Sequence, residues 1–139
     1  MLTPLHLKHV CMAALCVVVT AGPGRSGDPA ERAALYTQFC ATCHGADATG
    51  NGPTAPILTL QPPDLTGLSA RHDGVFPMQR VIDRIDGQDP LVAHGSPMPV
   101  YGPFFEGIED APLKAPSGQP VLVSQPIADL VTFLQAIQR

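Results

Sequence analysis

Two cysteines three residues apart, followed at once by a histidine, stand at Cys40-Ala41-Thr42-Cys43-His44. No other feature constrains the fold of this chain as strongly. The spacing is the attachment pattern of a c-type haem. Two thiols reach the two vinyl groups of one porphyrin, and the imidazole one residue further on meets the iron from the same side. On a helix, Cys40 and Cys43 lie one turn apart on a single face. The rival chemistries fare worse. Zinc needs four ligands, yet there is no second such cysteine pair, and His72 and His94 lack zinc-finger spacing. A thioredoxin-like redox motif needs a βαβ context, and no run of buried strands supplies one.

The amino terminus agrees with that reading. Lys8, His6 and His9 precede an apolar stretch over residues 10–19, followed by Thr20-Ala21-Gly22. A basic region, a short hydrophobic core and small residues at a cleavage point describe a secretory signal peptide. The apolar run is too short for a membrane span of ~20 residues. Residues 1–21 are therefore expected to be removed after Ala21, placing the mature protein in the periplasm without stable membrane insertion. An uncleaved amino-terminal anchor is the alternative. Cys16 does not read as a lipidation site, because Leu15 stands where a small residue is wanted. Residues 22–28 form a linker, and 29–139 form one domain. Cleavage removes Cys11 and Cys16 and leaves only the two cysteines a haem would consume. A disulfide-stapled secreted domain would keep several pairs.

Composition points to the same cofactor. The chain has no tryptophan, five phenylalanines and two tyrosines, against 16 prolines and 13 glycines. That is poor material for a large independent core. A porphyrin would supply a broad apolar plate around which short helices and proline-rich loops can pack.

Helix signals are clear in three places. Asp28 suits the N-cap, Pro29 the first helical position, and Glu31 a capping-box-like partner. Ala33, Tyr36, Phe39 and Cys40 then recur at helical spacing, predicting a helix that runs into the motif and ends at Gly45. Residues 46–63 read as loop. A second helix is predicted from Pro77 to Asp86, with Val81, Ile82 and Ile85 on its apolar face and Gly87 as its stop. From Asp89 to Ser124 prolines punctuate the chain, with one short extended piece at Val121 to Val123. The last helix opens at Pro126 and carries Ile127, Leu130, Val131, Leu134 and Ile137 at amphipathic spacing.

A haem that only shuttles electrons needs a second axial ligand, and a His/Met pair raises the potential relative to a second nitrogen. Met98 lies in Gly95-Ser96-Pro97-Met98-Pro99, where prolines on both sides restrict the backbone and hold a thioether at fixed reach. Met78 sits at the head of a predicted helix and reads as core filling. His94 is a third candidate, and His72 reads as an exposed loop histidine.

The chain resembles the class I bacterial monohaem cytochromes c over residues 29–138. The likeness rests on Leu35-Tyr36 ahead of the motif and Gly45, on the glycine-rich loop ending in Gly52-Pro53, and on Pro62-Pro63-Asp64-Leu65. It continues through Met98-Pro99-Val100-Tyr101-Gly102 and the terminal Leu130-Val131-Thr132-Phe133-Leu134. The resemblance implies an all-α fold of short helices and Pro/Gly-rich loops wrapped around one covalent haem c. It makes Cys40 and Cys43 the thioether donors, His44 the proximal iron ligand and Met98 the distal one. It assigns Pro53 as the carbonyl that accepts the ligand histidine's other N–H, with Leu65, Phe76 and Tyr101 as pocket wall. Arg71, Arg80 and Arg84 are candidate partners of the propionates. Two features depart from the pattern. Arg32-Ala33-Ala34 stands where the first helix usually carries a glycine at its crossing with the last helix. The stretch from Phe104 to Ser124 is longer than a minimal member needs.

The implied activity is single-electron transfer, as a free shuttle or as the haem subunit of a dehydrogenase or oxidase, with no catalytic acid, base or nucleophile. A haem enzyme or gas-binding sensor with an open distal position is the alternative, and a thiol oxidoreductase is a third. After cleavage seven basic residues face twelve acidic ones, a net of −5. Such a chain is a poor partner for nucleic acid or anionic membranes. Its expected partners are redox proteins: a dehydrogenase donor and an oxidase or reductase acceptor. They would dock on a small, largely uncharged rim near the haem edge.

Overall fold

Asp28 caps the first helix as its sequence predicts. Its carboxylate accepts from the Ala30 N–H at 2.9 Å, and Pro29 opens α1 (Pro29–Phe39). The computed structural model describes residues 27–90 and 98–139, so the predicted signal peptide, most of the linker and His94 lie outside the described residues. The predicted continuous helix through the motif is in fact two. Cys40, at φ −115°, closes α1, and a separate turn, α2 (Ala41–His44), carries the histidine to Gly45 at φ +81°. That left-handed conformation suits glycine and stops the turn.

The second predicted helix is α3 (Met78–Asp86), ended by Gly87 at φ +89°, and the last is α4 (Gln125–Ala136). Met78 is buried in the core, in keeping with a packing role. α4 is the central element, because α1, α3 and the first strand of a hairpin all pack against it. Its buried stripe is Ile127, Leu130, Val131 and Leu134. Lacking a glycine at the crossing, α1 meets α4 by other means. Tyr36 stacks on Phe133 with ring centroids 4.6 Å apart, and Arg32 Nε lies 3.2 Å from Asp129 Oδ1.

The long stretch before α4 holds more order than its prolines suggest. A 3-10 turn at Gly102–Phe104 leads into an antiparallel hairpin, β1 (Ala111–Lys114) and β2 (Pro120–Val123), with Ala111 opposite Val123 and Lys114 opposite Pro120. Only β2 was foreshadowed by an extended reading. β1 contains Pro112, which a two-stranded sheet tolerates because both strands are edges. Ala111, Leu113 and Val123 turn inward and join the core. Short 3-10 turns at Ala55–Ile57 and Ala70–His72 lie in the loop between α2 and α3, the first of them inside the segment predicted to be featureless. The architecture is thus mostly helical, with short helices and long loops plus this hairpin. No described helix is long and apolar enough to cross a membrane.

Candidate cofactor site

The loop after the motif folds back onto it in two passes. In the first pass the Gly52 N–H donates to the Cys43 carbonyl at 3.0 Å, and the Thr54 N–H donates to the Thr42 carbonyl at 3.1 Å. A side chain at Gly52 would place its Cβ 2.5 Å from the Cys43 backbone, so only glycine permits this approach. In the second pass residues 62–65 return alongside 48–50. The Leu65 N–H donates to the Ala48 carbonyl at 2.8 Å, and Gly50, at φ +88°, leaves room for the Pro62 carbonyl.

That second pass sets the Pro63 carbonyl 3.2 Å from His44 Nδ1. A carbonyl only accepts, so Nδ1 carries the proton and Nε2 keeps its lone pair. The assignment of this role to Pro53 is therefore corrected. Pro53 is exposed and begins the turn into Ala55–Ile57, on the outer side of the strand of chain that hugs Cys43. The nine residues between the two prolines carry the chain back to the imidazole.

His44 and Cys40 open onto a cavity of about 770 Å³, within the range that holds cofactors. α3 contributes Val81 and Ile85 to its wall, α4 contributes Leu130 and Leu134, and the returning loop contributes Leu58, Leu60 and Leu65. Met98 lines the same space. Cys40, His44, Leu65 and Met98 are thus brought together, while Cys43 sits beside them on α2 with its sulfur 3.3 Å from Thr54 Oγ1. Arg71, Arg80 and Arg84 also border the cavity, and an anionic edge of a flat apolar ligand would meet them there.

Three sequence readings are corrected. His72 is not an exposed loop histidine: it is half-buried, lines the cavity, and its Nδ1 lies 2.8 Å from the Leu68 carbonyl. The signal for it was its i, i+4 relation to Leu68, which lets a ring nitrogen reach back to that carbonyl. Tyr101 is not part of the wall lining the cavity. Its hydroxyl donates to the Phe39 carbonyl at 2.8 Å, and its ring stacks on Phe105, one layer behind the motif. Phe76 packs on the core without lining the cavity. Sequence reasoning also missed Tyr36, whose buried hydroxyl donates to the Gly45 carbonyl at 2.8 Å and so holds the far end of the motif.

The electrostatics suit a ligand nitrogen and not a reactive thiol. Burial lowers the His44 pKa and the hydrogen bond to Pro63 opposes it, so the ring favours its neutral, electron-donating form. Burial, with the neighbouring Cys43, pushes the Cys40 thiol up to about 12. Thiol–disulfide enzymes depend on the opposite shift, a depressed pKa that yields thiolate near neutrality.

The donor set fits a covalently attached haem: two thiols on one turn, an imidazole with Nε2 free, and an apolar cavity with a cationic border. Comparison with known families points the same way. The family model described as cytochrome c matches residues 30–138. No curated protein and no solved structure matches the chain significantly. A match over that span, on a fold whose cavity is lined by Cys40 and His44 of the motif, places this chain in the cytochrome c family, whose members carry electrons on haem.

Proposed function

We propose that the protein is an exported monohaem cytochrome c that carries single electrons between redox proteins, with iron held by His44 and Met98. The observation that carries the reading is the His44–Pro63 contact inside a cavity that Met98 also lines. A second-row carbonyl of this kind fixes the tautomer and orientation of a metal-binding imidazole and raises its basicity. The haem supplies the reversible ferrous–ferric couple. Cys40 and Cys43 would hold it by thioether bonds. Leu65, Val81, Ile85, Leu130 and Leu134 line the cavity and would keep water from it, and Arg71, Arg80 and Arg84 would supply positive charge to the haem's anionic groups. Pro53 has no cofactor contact in this reading, and Tyr101 acts on the backbone of Phe39.

The surroundings of the cavity suit brief encounters with partners. Leu60, which lines the cavity beside its arginines, is 61 % exposed, and Ile57, three residues earlier, is 83 % exposed. Transient redox contacts of this kind bury less than ~1,200 Å².

The test is spectroscopic. Protein made in a host equipped for cytochrome maturation should stain for covalent haem after denaturation. It should show a sulfur-to-iron charge-transfer band when oxidised, and resist carbon monoxide when reduced. Rapid carbon monoxide binding by the reduced protein would overturn methionine ligation. Two unmodified thiols by mass spectrometry would overturn the reading as a whole.

A further inference from the structure

A second concavity, of about 820 Å³, lies on the other side of α3. The helix presents Arg80 and Arg84 to the cofactor cavity and Asp83 and Asp86 to this groove. Glu106 and Glu109, from the chain leading into the hairpin, complete an acidic border. Among the described residues no lysine or arginine lines it. Ile82, Phe105, Val123 and Ile127 make the floor apolar.

β2 runs along this groove with all three of its valine and leucine residues lining it. The sheet has two strands, so the edge of β2 away from β1 has no strand beside it among the described residues. The two edges differ in surroundings, since β2 and not β1 lines the groove. The Ala115 N–H donates to the Gln119 carbonyl, which makes Leu113 with Val121 and Ala111 with Val123 the hydrogen-bonded pairs by antiparallel alternation. On β2, the N–H and C=O of Leu122 therefore point outward. Pro120, the other outward position of β2, has no N–H, and on β1 the outward positions are Lys114 and Pro112, so each edge offers one N–H. Only the edge of β2 lies along the groove. Leu122 is 55 % exposed beside it. Ser124, at the end of the strand, also lines the groove, is only 4 % exposed, and its hydroxyl has no hydrogen-bond partner.

From these features we infer that the groove is a docking site for an extended, cationic segment of a protein partner, which pairs with the outer edge of β2. In an extended segment alternate side chains point to opposite sides. One set reaches the Ile82–Phe105–Ile127 floor, while lysines or arginines on the other set meet Asp83, Asp86, Glu106 and Glu109. Main-chain bonds to Leu122 give affinity, and the carboxylates select against acidic partners. The site goes beyond the electron-carrier reading and stands without it, because none of these residues touches the cofactor cavity.

The test uses the mature protein as purified and two synthetic heptapeptides, one alternating lysine with valine and one alternating glutamate with valine. Binding is followed by amide NMR shifts at low and high salt. The inference expects the lysine peptide to shift the amides of 121–124. It expects at least a tenfold loss of affinity in Glu106→Gln/Glu109→Gln, and no change in Glu31→Gln, whose carboxylate lies on α1 outside the groove. It further expects weakening by salt and no binding of the glutamate peptide. Equal affinity for the Glu106/Glu109 and Glu31 variants would mean a general attraction of opposite charges and would overturn the inference. So would shifts confined to residues outside the groove, or a concentration-dependent dimer that occupies the β2 edge without peptide.

Discussion

Two concavities of nearly equal volume flank one nine-residue helix, and they differ in almost everything else. The cavity on the Val81–Ile85 side is walled by leucines and bordered by arginines. The groove on the Ile82 side has a smaller apolar floor and a border of carboxylates. Size alone thus says little about what a depression holds. The donors say more: one has a histidine with a free nitrogen and a sulfur on its wall, the other an unpaired strand edge. α3 achieves this with residues at helical spacing, Arg80 and Arg84 four apart on one side and Asp83 and Asp86 three apart on the other. A single helix thereby sorts positive charge toward the cofactor side and negative charge toward the partner side.

If the cavity needs its cofactor to persist, the largest effect belongs to Cys40→Ala/Cys43→Ala. That variant should retain no haem after denaturation and lose a cooperative thermal transition by circular dichroism, since an apolar cavity of this size left unfilled forfeits the packing of every wall residue. A native-like melt would break the comparison outright. Met98→Ala should leave the groove untouched and lower the midpoint potential by on the order of 0.1 V, within the ~0.8 V that axial ligands span. Potentiometry and carbon monoxide binding check it.

Gly50→Ala should cost about 1–3 kcal/mol in chemical denaturation, from a side chain forced to positive φ against the Pro62 carbonyl. Because residues 62–63 must then move, the potential should shift as well. A loss of stability with an unchanged potential would show that the Pro63 contact does not tune the iron.

A smaller effect depends on pH. The Thr66 hydroxyl and backbone N–H, with Arg139 and Arg71 further off, hold the Asp64 carboxyl below the ordinary aspartate range. The folded state therefore favours the ionised form. That contribution is present above an unfolded pKa of about 4 and fades as pH falls through the lower folded value. Asp64→Asn should flatten the acid limb of stability against pH and leave neutral pH nearly unchanged in its slope. Smallest of all is Leu122→Ala, which should change stability by no more than ~0.5 kcal/mol and the visible spectrum not at all, while weakening peptide binding in the groove.

Much of the cofactor side was legible in the sequence because its determinants are local. Cys40, Cys43 and His44 are contiguous, Asp28-Pro29 and Gly87 punctuate their helices by backbone preference, and α4 announces itself by periodicity. What escaped was long-range. Pro53 and Pro63 are the same residue type in the same loop, and only the path of the returning chain decides which carbonyl faces the imidazole. Tyr101 looked like pocket wall from its place near Met98, yet its hydroxyl is drawn to a carbonyl 62 residues away. β1 escaped because Pro112 argues against a strand, and only its pairing with β2 reveals that an edge can hold it. The groove was invisible for the same reason, since α3, the approach to β1 and β2 meet only in three dimensions.

Both tyrosines of this chain spend their hydroxyls on the stretch that includes the motif, Tyr101 on the carbonyl just before Cys40 and Tyr36 on the one just after His44. The pentapeptide is accordingly no portable cassette. Transplanted into another helix it would bring the thiols and the imidazole but neither of the two phenols that pin its ends, and an engineer copying this centre would have to carry both anchors along.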